Sequence, residues 1–191
     1  MRIRTLFAAA VMTSLAAPTA QAELPYPTVD YEADWVVEGP DGESFRSRAH
    51  YRAADRKMRI EMTQSGMEMS GIQDIEAGEL VFWSDQMPGM AMRVAAGPDD
   101  MDVDPRRTEM TQTVDGESCT VWTTPEVEVC LTEDNIPLET SGQGFTAQLA
   151  NLQRTSQDDA LFEVPADLQI MEMPEMPESG DAMPGGFGLP Y

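Results

Sequence analysis

The chain reads as a mainly-β protein, an antiparallel sheet with at most short helices, and three observations carry that reading. Apolar and polar residues alternate with a period of two in one segment after another, the mark of strands with one buried face. Turn residues punctuate these segments at short intervals: Gly39-Pro40-Asp41-Gly42, Ala54-Asp55, Ser65-Gly66, Ala77-Gly78 and Met87-Pro88-Gly89. Such spacing favours a meander over a parallel sheet with crossover helices. Hydrophobic residues make up 41% of the 191, enough for the core of one domain.

Residues 1–22 stand apart. Arg2 and Arg4 give a positive start, Leu6 to Ala17 is apolar but too short to span a bilayer, and Ala20-Gln21-Ala22 is a small-x-small cleavage pattern. This order predicts a signal peptide, cleavage after Ala22, and a soluble periplasmic protein. Losing two arginines and no acid takes the net charge from −22 to −24. A surface so acidic repels phosphate backbones and excludes nucleic acid as a default partner.

The strands follow in order. Tyr31, Ala33, Trp35 and Val37 alternate with Glu32 and Asp34; Phe45, Ala49 and Tyr51 with Arg46, Arg48, His50 and Arg52; Met58, Ile60 and Met62 with Lys57, Arg59 and Glu61. Leu80 and Phe82 share a strand with Val81 and Trp83, which predicts cover on both faces, and Met90, Met92 and Val94 make another. Gly97 to Gly116 breaks the rhythm, with Pro98 and Pro105 and room for one short helix. Strands resume at 117–123, 127–132 and 136–140. Residues 145–154 fit either periodicity and are assigned to a strand, because every neighbour is one; Leu161 to Val164 is a last short strand. The β domain is thus bounded at 23–168. Residues 169–191, rich in Met, Pro, Glu and Gly without periodicity, read as a disordered tail.

Cys119 and Cys130 flank Thr124-Pro125. If those two residues form the turn, Cys119 lies opposite Cys130, close enough for a disulfide in an oxidising compartment. The short loop makes the bond worth about 2–3 kcal/mol in the loop-entropy model. Trp122, Val127 and Val129 would then share the buried face.

No catalytic constellation is visible, and the reading is not an enzyme. His50, the single histidine, shares a face with Arg46, Arg48 and Arg52 and is expected to be exposed. That Arg-rich strand is either paired across to Glu32 and Asp34 or a docking patch for an acidic envelope partner. Asp100-Met-Asp102-Val-Asp104 imitates the start of a calcium loop, but Pro105 and Thr111 stand where Gly and Glu are required. Methionine is the oddest feature, with 15 in the chain. The clusters are Met67-x-Met69, Met87-x-x-Met90-x-Met92 and Met171-x-Met173-x-x-Met176. They suit core packing or a flexible apolar lining. Met171, Met173 and Met176 could also hold Cu(I), although no cofactor or metal is assigned.

Several segments resemble the DUF4412 family of exported bacterial proteins. They are Tyr31-Glu-Ala-Asp, Tyr51, Arg56-Lys-Met-Arg-Ile-Glu-Met62, Asp74-Ile75, Val114-Asp-Gly-Glu-Ser-Cys119, Thr132-Glu-Asp-Asn-Ile-Pro-Leu138 and Leu161-Phe-Glu-Val-Pro165, and the likeness spans about 29–168. It implies a relation to the LolA/LolB/LppX-like lipoprotein carriers: a curved antiparallel sheet forming a half-barrel over an apolar cavity, with helices as a lid. This sequence offers little helix for a lid. On such a half-barrel, Trp35, Tyr51, Met58, Ile60, Met62, Phe82, Met90 and Met92 would line the concave face. The ligand class expected there is a lipid or lipoprotein acyl chain. The alternatives are a Met-rich copper-handling protein, or a ligand-free envelope protein docking through its Arg-rich strand.

Overall fold

The computed structural model describes residues 24–64, 66–95 and 105–173. Its strands are β1 (Tyr31–Glu38), β2 (Ser44–Arg52), β3 (Lys57–Gln64), β4 (Met67–Asp74), β5 (Glu79–Ser84), β6 (Met90–Ala95), β7 (Arg106–Val114), β8 (Glu117–Thr123), β9 (Val127–Leu131), β10 (Pro137–Gly142), β11 (Phe145–Gln153) and β12 (Gln169–Glu172). All twelve belong to one sheet, in the order β12-β6-β5-β4-β3-β2-β1-β11-β10-β9-β8-β7. Every neighbouring pair is antiparallel except β12 with β6, which is parallel. Among the described residues the helical structure is a single 3-10 turn, Asp159–Phe162. The all-β antiparallel expectation therefore holds.

Register places the side chains of β1–β6 in cross-strand rows. One face carries Tyr31, Tyr51, Met58, Gln73, Leu80 and Val94 in a first row, and Ala33, Ala49, Ile60, Gly71, Phe82 and Met92 in a second. A third row on that face runs Trp35, Ser47, Met62, Met69 and Ser84. This is the inner face. Tyr31, Trp35, Tyr51 and Met58 are all 0% exposed, and the Tyr31 and Tyr51 rings stack at 5.4 Å. No helical layer among the described residues covers them. A sheet face stays dry without a second layer only when the sheet coils until its own halves meet. One apolar cluster indeed joins β1–β3 to Val114, Cys119, Val121, Cys130, Ile136, Leu138, Ala147 and Leu149.

The outer face is a charge lattice crossed by a strap. Its rows read Glu32, His50, Arg59, Ile72, Val81, Arg93 and Asp34, Arg48, Glu61, Ser70, Trp83. After β11 the chain crosses this face before pairing as β12 with β6. Arg52 binds Asp55 through two nitrogens at 2.8 and 2.7 Å and Asp159 at 2.6 Å, and its guanidinium lies 4.4 Å from the Phe162 ring centroid. Arg59 donates to the Leu161 carbonyl at 3.1 Å. Phe162 on the strap and the outward Ile72 and Val81 are all buried.

Four expectations are corrected here. Leu161 to Val164 is not a strand: Asp158 accepts from the Ala160 amide and caps the 3-10 turn. The disordered tail does not begin at 169, because residues 169–172 pair with 90–93 and Met173 N–H donates to the Arg93 carbonyl. His50 is 8% exposed, not open; its Nδ1 lies 2.9 Å from Gln157 Oε1 on the strap and 3.6 Å from Glu32. Residues 106–114, expected to be irregular or helical, form edge strand β7.

Cys119 and Cys130 are bonded, Cα–Cα 5.4 Å, but not as directly opposed residues. Cys130 faces Val121, and Thr123 faces Glu128. The turn is Pro125-Glu126, one position later than expected. Pro favours the first central position of such turns, and the Thr124 hydroxyl accepts from the Glu126 and Val127 amides. The resulting slip of two residues preserves which residues share a face and leaves the cysteines diagonal, still within disulfide reach. The face that joins the central cluster carries Cys119, Val121 and Cys130; of Trp122, Val127 and Val129, only Val129 is fully buried.

Candidate ligand-binding face

All eight expected lining residues share the inner face, but they divide into two groups. Trp35, Tyr51, Met58 and Ile60 are 0–3% exposed and belong to the packed core. Burial pushes the Tyr51 phenol up to about 12, against the pull of nearby Arg56, and its hydroxyl donates to the Pro27 carbonyl at 3.3 Å. Met62, Phe82 and Met92 are half-buried, and Met90 is 37% exposed. The inner face therefore grades from dry on β1–β3 to open on β4–β6.

Two elements extend the open half beyond the residues read from the sequence. Met69 on β4 faces Met62 directly. On β12, Met171 faces Met92 and Gln169 faces Met90, and Met171 is 45% exposed. Met173 lies two residues further along the same ladder. Met176, the calcium-like Asp100–Asp104 stretch and residues 1–22 lie outside the described residues. The charged neighbours Arg59, Glu61, Arg93 and Glu172 alternate onto the outer face, where Arg93 pairs with Glu172 at 3.0 Å. What remains inside is a surface of thioethers, the Phe82 ring, the aliphatic Leu80 and Val94, and the uncharged Gly71, Gln73, Ser84 and Gln169.

Of the Arg-rich strand, Arg46 and Arg48 are exposed, and Arg48 makes only a long 3.8 Å approach to Asp34. Arg52 is unavailable as a docking cation because Asp55, Asp159 and Phe162 occupy it. Its hydrogen bond holds the Asp55 carboxyl below the usual carboxylate range.

Two open depressions elsewhere are polar. One of about 360 Å³ is lined by Arg107, Thr108, Glu109, Thr111 and Thr120. Another of about 430 Å³ is lined by Glu117, Thr132, Glu133, Asp134 and Arg154, where Arg154 pairs with two of the three carboxylates. Arg154 reaches Asp134 at 2.6 Å and Glu117 at 3.1 Å, and Thr132 donates to Asp134 at 2.5 Å. Burial would raise Asp134, but these hydrogen bonds outweigh it and hold the carboxyl low. No three His, Cys, Asp or Glu side chains among the described residues gather as metal ligands.

No family model matches the chain, and no curated protein matches it. Solved structures do. A conserved protein of uncharacterised function from Thermus thermophilus is similar over 76% of this chain and 91% of its own, with 16% identity and a TM-score of 0.56. PNGF-II matches over 76% of this chain at 12% identity and TM-score 0.51, and the chain spans 31% of its length. A DUF1329 family protein from Desulfovibrio piger superposes more loosely, TM-score 0.32 at 12% identity, over 73% of this chain and 91% of its own. For the first two, at these identities, the likeness is one of fold.

Proposed function

We propose that the protein is an extracytoplasmic binding or carrier protein that takes an apolar chain, such as an acyl group, on the open half of its inner sheet face. One observation carries the reading: the face continues unbroken from a dry core into partly exposed Met62, Met69, Phe82, Met90, Met92 and Met171. Unbranched thioether side chains repack around varied apolar shapes. Apolar area removed from water stabilises binding by about 25 cal/mol per Å². The carrier fold implied by the DUF4412 resemblance supports the same reading, and the Cys119–Cys130 bond fits an oxidising compartment.

The test is titration with a fluorescent fatty acid. Wild type is expected to saturate, and Met69→Asp with Met92→Asp to bind at least tenfold more weakly while keeping its disulfide and sheet circular dichroism. Saturable binding undiminished in the double variant, or none in wild type, would overturn the proposal.

A further inference from the structure

The copper alternative read from the sequence placed its sulfurs in a tail separate from the fold. Strand β12 removes that separation. Met92 and Met171 are paired across the parallel β6–β12 ladder, one strand spacing, roughly 5 Å, apart. Met90 is two residues along β6 from Met92, on the same face and roughly 7 Å away at two strand rises. Each side chain reaches several ångströms beyond its Cβ, so three thioether sulfurs can meet at one point above the strands. All three retain access to solvent, Met90 at 37% and Met171 at 45%, with Met92 half-buried.

The surroundings select the ion. Arg93 and Glu172 alternate to the opposite face and pair with each other. Among the described residues, His50 lies on the outer face against Gln157 and both cysteines are bonded. Among the described residues no cluster of His, Cys, Asp or Glu is assembled here for Zn²⁺, Ca²⁺ or Cu²⁺, whereas thioethers are ligands for soft monovalent ions. We propose that Met90, Met92 and Met171 form a three-thioether site for Cu(I), built only when β12 pairs with β6. The site shares these three residues with the proposed apolar face, but the two are separable, because the ion needs sulfur and an apolar chain needs only hydrophobic volume.

Ag(I), an air-stable soft ion, is the probe, with the full chain carrying 13C-labelled methionine methyl groups. The expected result is that the methyl resonances of Met90, Met92 and Met171 shift together and saturate at one Ag(I) per chain. Buried Met58 and the isolated, exposed Met110 on β7 should stay in place. Cu(I) under ascorbate should compete for the same resonances. Met→Leu changes remove the sulfur and keep the volume. Met92→Leu with Met171→Leu should weaken Ag(I) binding at least tenfold while the disulfide and the sheet circular dichroism stay as in wild type. The single changes Met90→Leu and Met171→Leu, at partly exposed positions, should each weaken it severalfold in a folded protein. Independent shifts at every exposed methionine, Met110 included, or unchanged affinity in the Leu variants would overturn the site. A saturable one-to-one Ag(I) shift in a wild type that binds no fatty acid would support the site and overturn the carrier reading alone.

Discussion

Phe162→Ala tests whether the strap over the outer face belongs to the cooperative unit of the sheet. Phe162 is 7% exposed and sits beneath the Arg52 guanidinium, 4.4 Å from its ring centroid. Truncating a buried Phe costs roughly 3–5 kcal/mol. The lower end applies here, because a strap of single thickness collapses more readily than a deep core. Loss of the ring also removes a cation–π contact of about 0.5–1 kcal/mol. With a total of about 3.5–4 kcal/mol, the melting temperature of a domain this size should fall by roughly 7–16 °C. Thermal unfolding followed by circular dichroism reads this directly, and limited proteolysis locates any opening. An unchanged melting temperature with rapid cleavage between 155 and 168 would refute the reasoning, because the strap would then be detaching on its own.

Other outcomes follow from single observations. Thr140 is 0% exposed, and its hydroxyl has no hydrogen-bond partner among the described residues; Thr140→Val should therefore raise stability by about 1 kcal/mol, and a lowered midpoint in urea would show that the hydroxyl is satisfied. A Cβ at Gly142 would collide with the Glu126 carbonyl, so Gly142→Ala should cost at least about 1 kcal/mol in the same assay. Tyr51 has a folded-state pKa raised from 10.0 to about 12, so its contribution is whole below pH 10 and is lost as pH rises towards 12. Two units correspond to about 2–3 kcal/mol, and urea midpoints at pH 9 and 11.5 should differ in wild type but far less in Tyr51→Phe.

Where alternation was clean, the sequence was readable. Residues 31–37, 45–52 and 57–62 each bury one face, and every residue assigned inward there lies on the inner face. Strand β4 was not delineated, because Met67-Glu-Met-Ser-Gly-Ile-Gln-Asp74 has apolar residues on both faces and Gly71 between them. Ile72 is buried although it faces outward, and no local pattern encodes that cover. The strap explains His50: its neighbours Arg46 and Arg48 are exposed, yet Gln157, more than a hundred residues later, closes over it. Strand β7 was hidden by its composition, since an edge strand with almost every side chain in water needs no apolar alternation. In the hairpin, the turn position depended on one choice, whether Pro125 takes the first or second central place. As for the site, Met90 and Met92 are assigned to the inner face by alternation, whereas Met69 and Met171 stand in Met clusters that spacing alone does not place on that face; cross-strand register does.

Native mass spectrometry of the protein, released from its own cells without detergent, tests the binding claim most directly. The account predicts a fraction of chains carrying a lipid-sized adduct that organic extraction removes and a fatty acid restores, and that is missing in the Met69→Asp, Met92→Asp variant. A bare chain mass in wild type, together with no adduct when fatty acid is added, would contradict it.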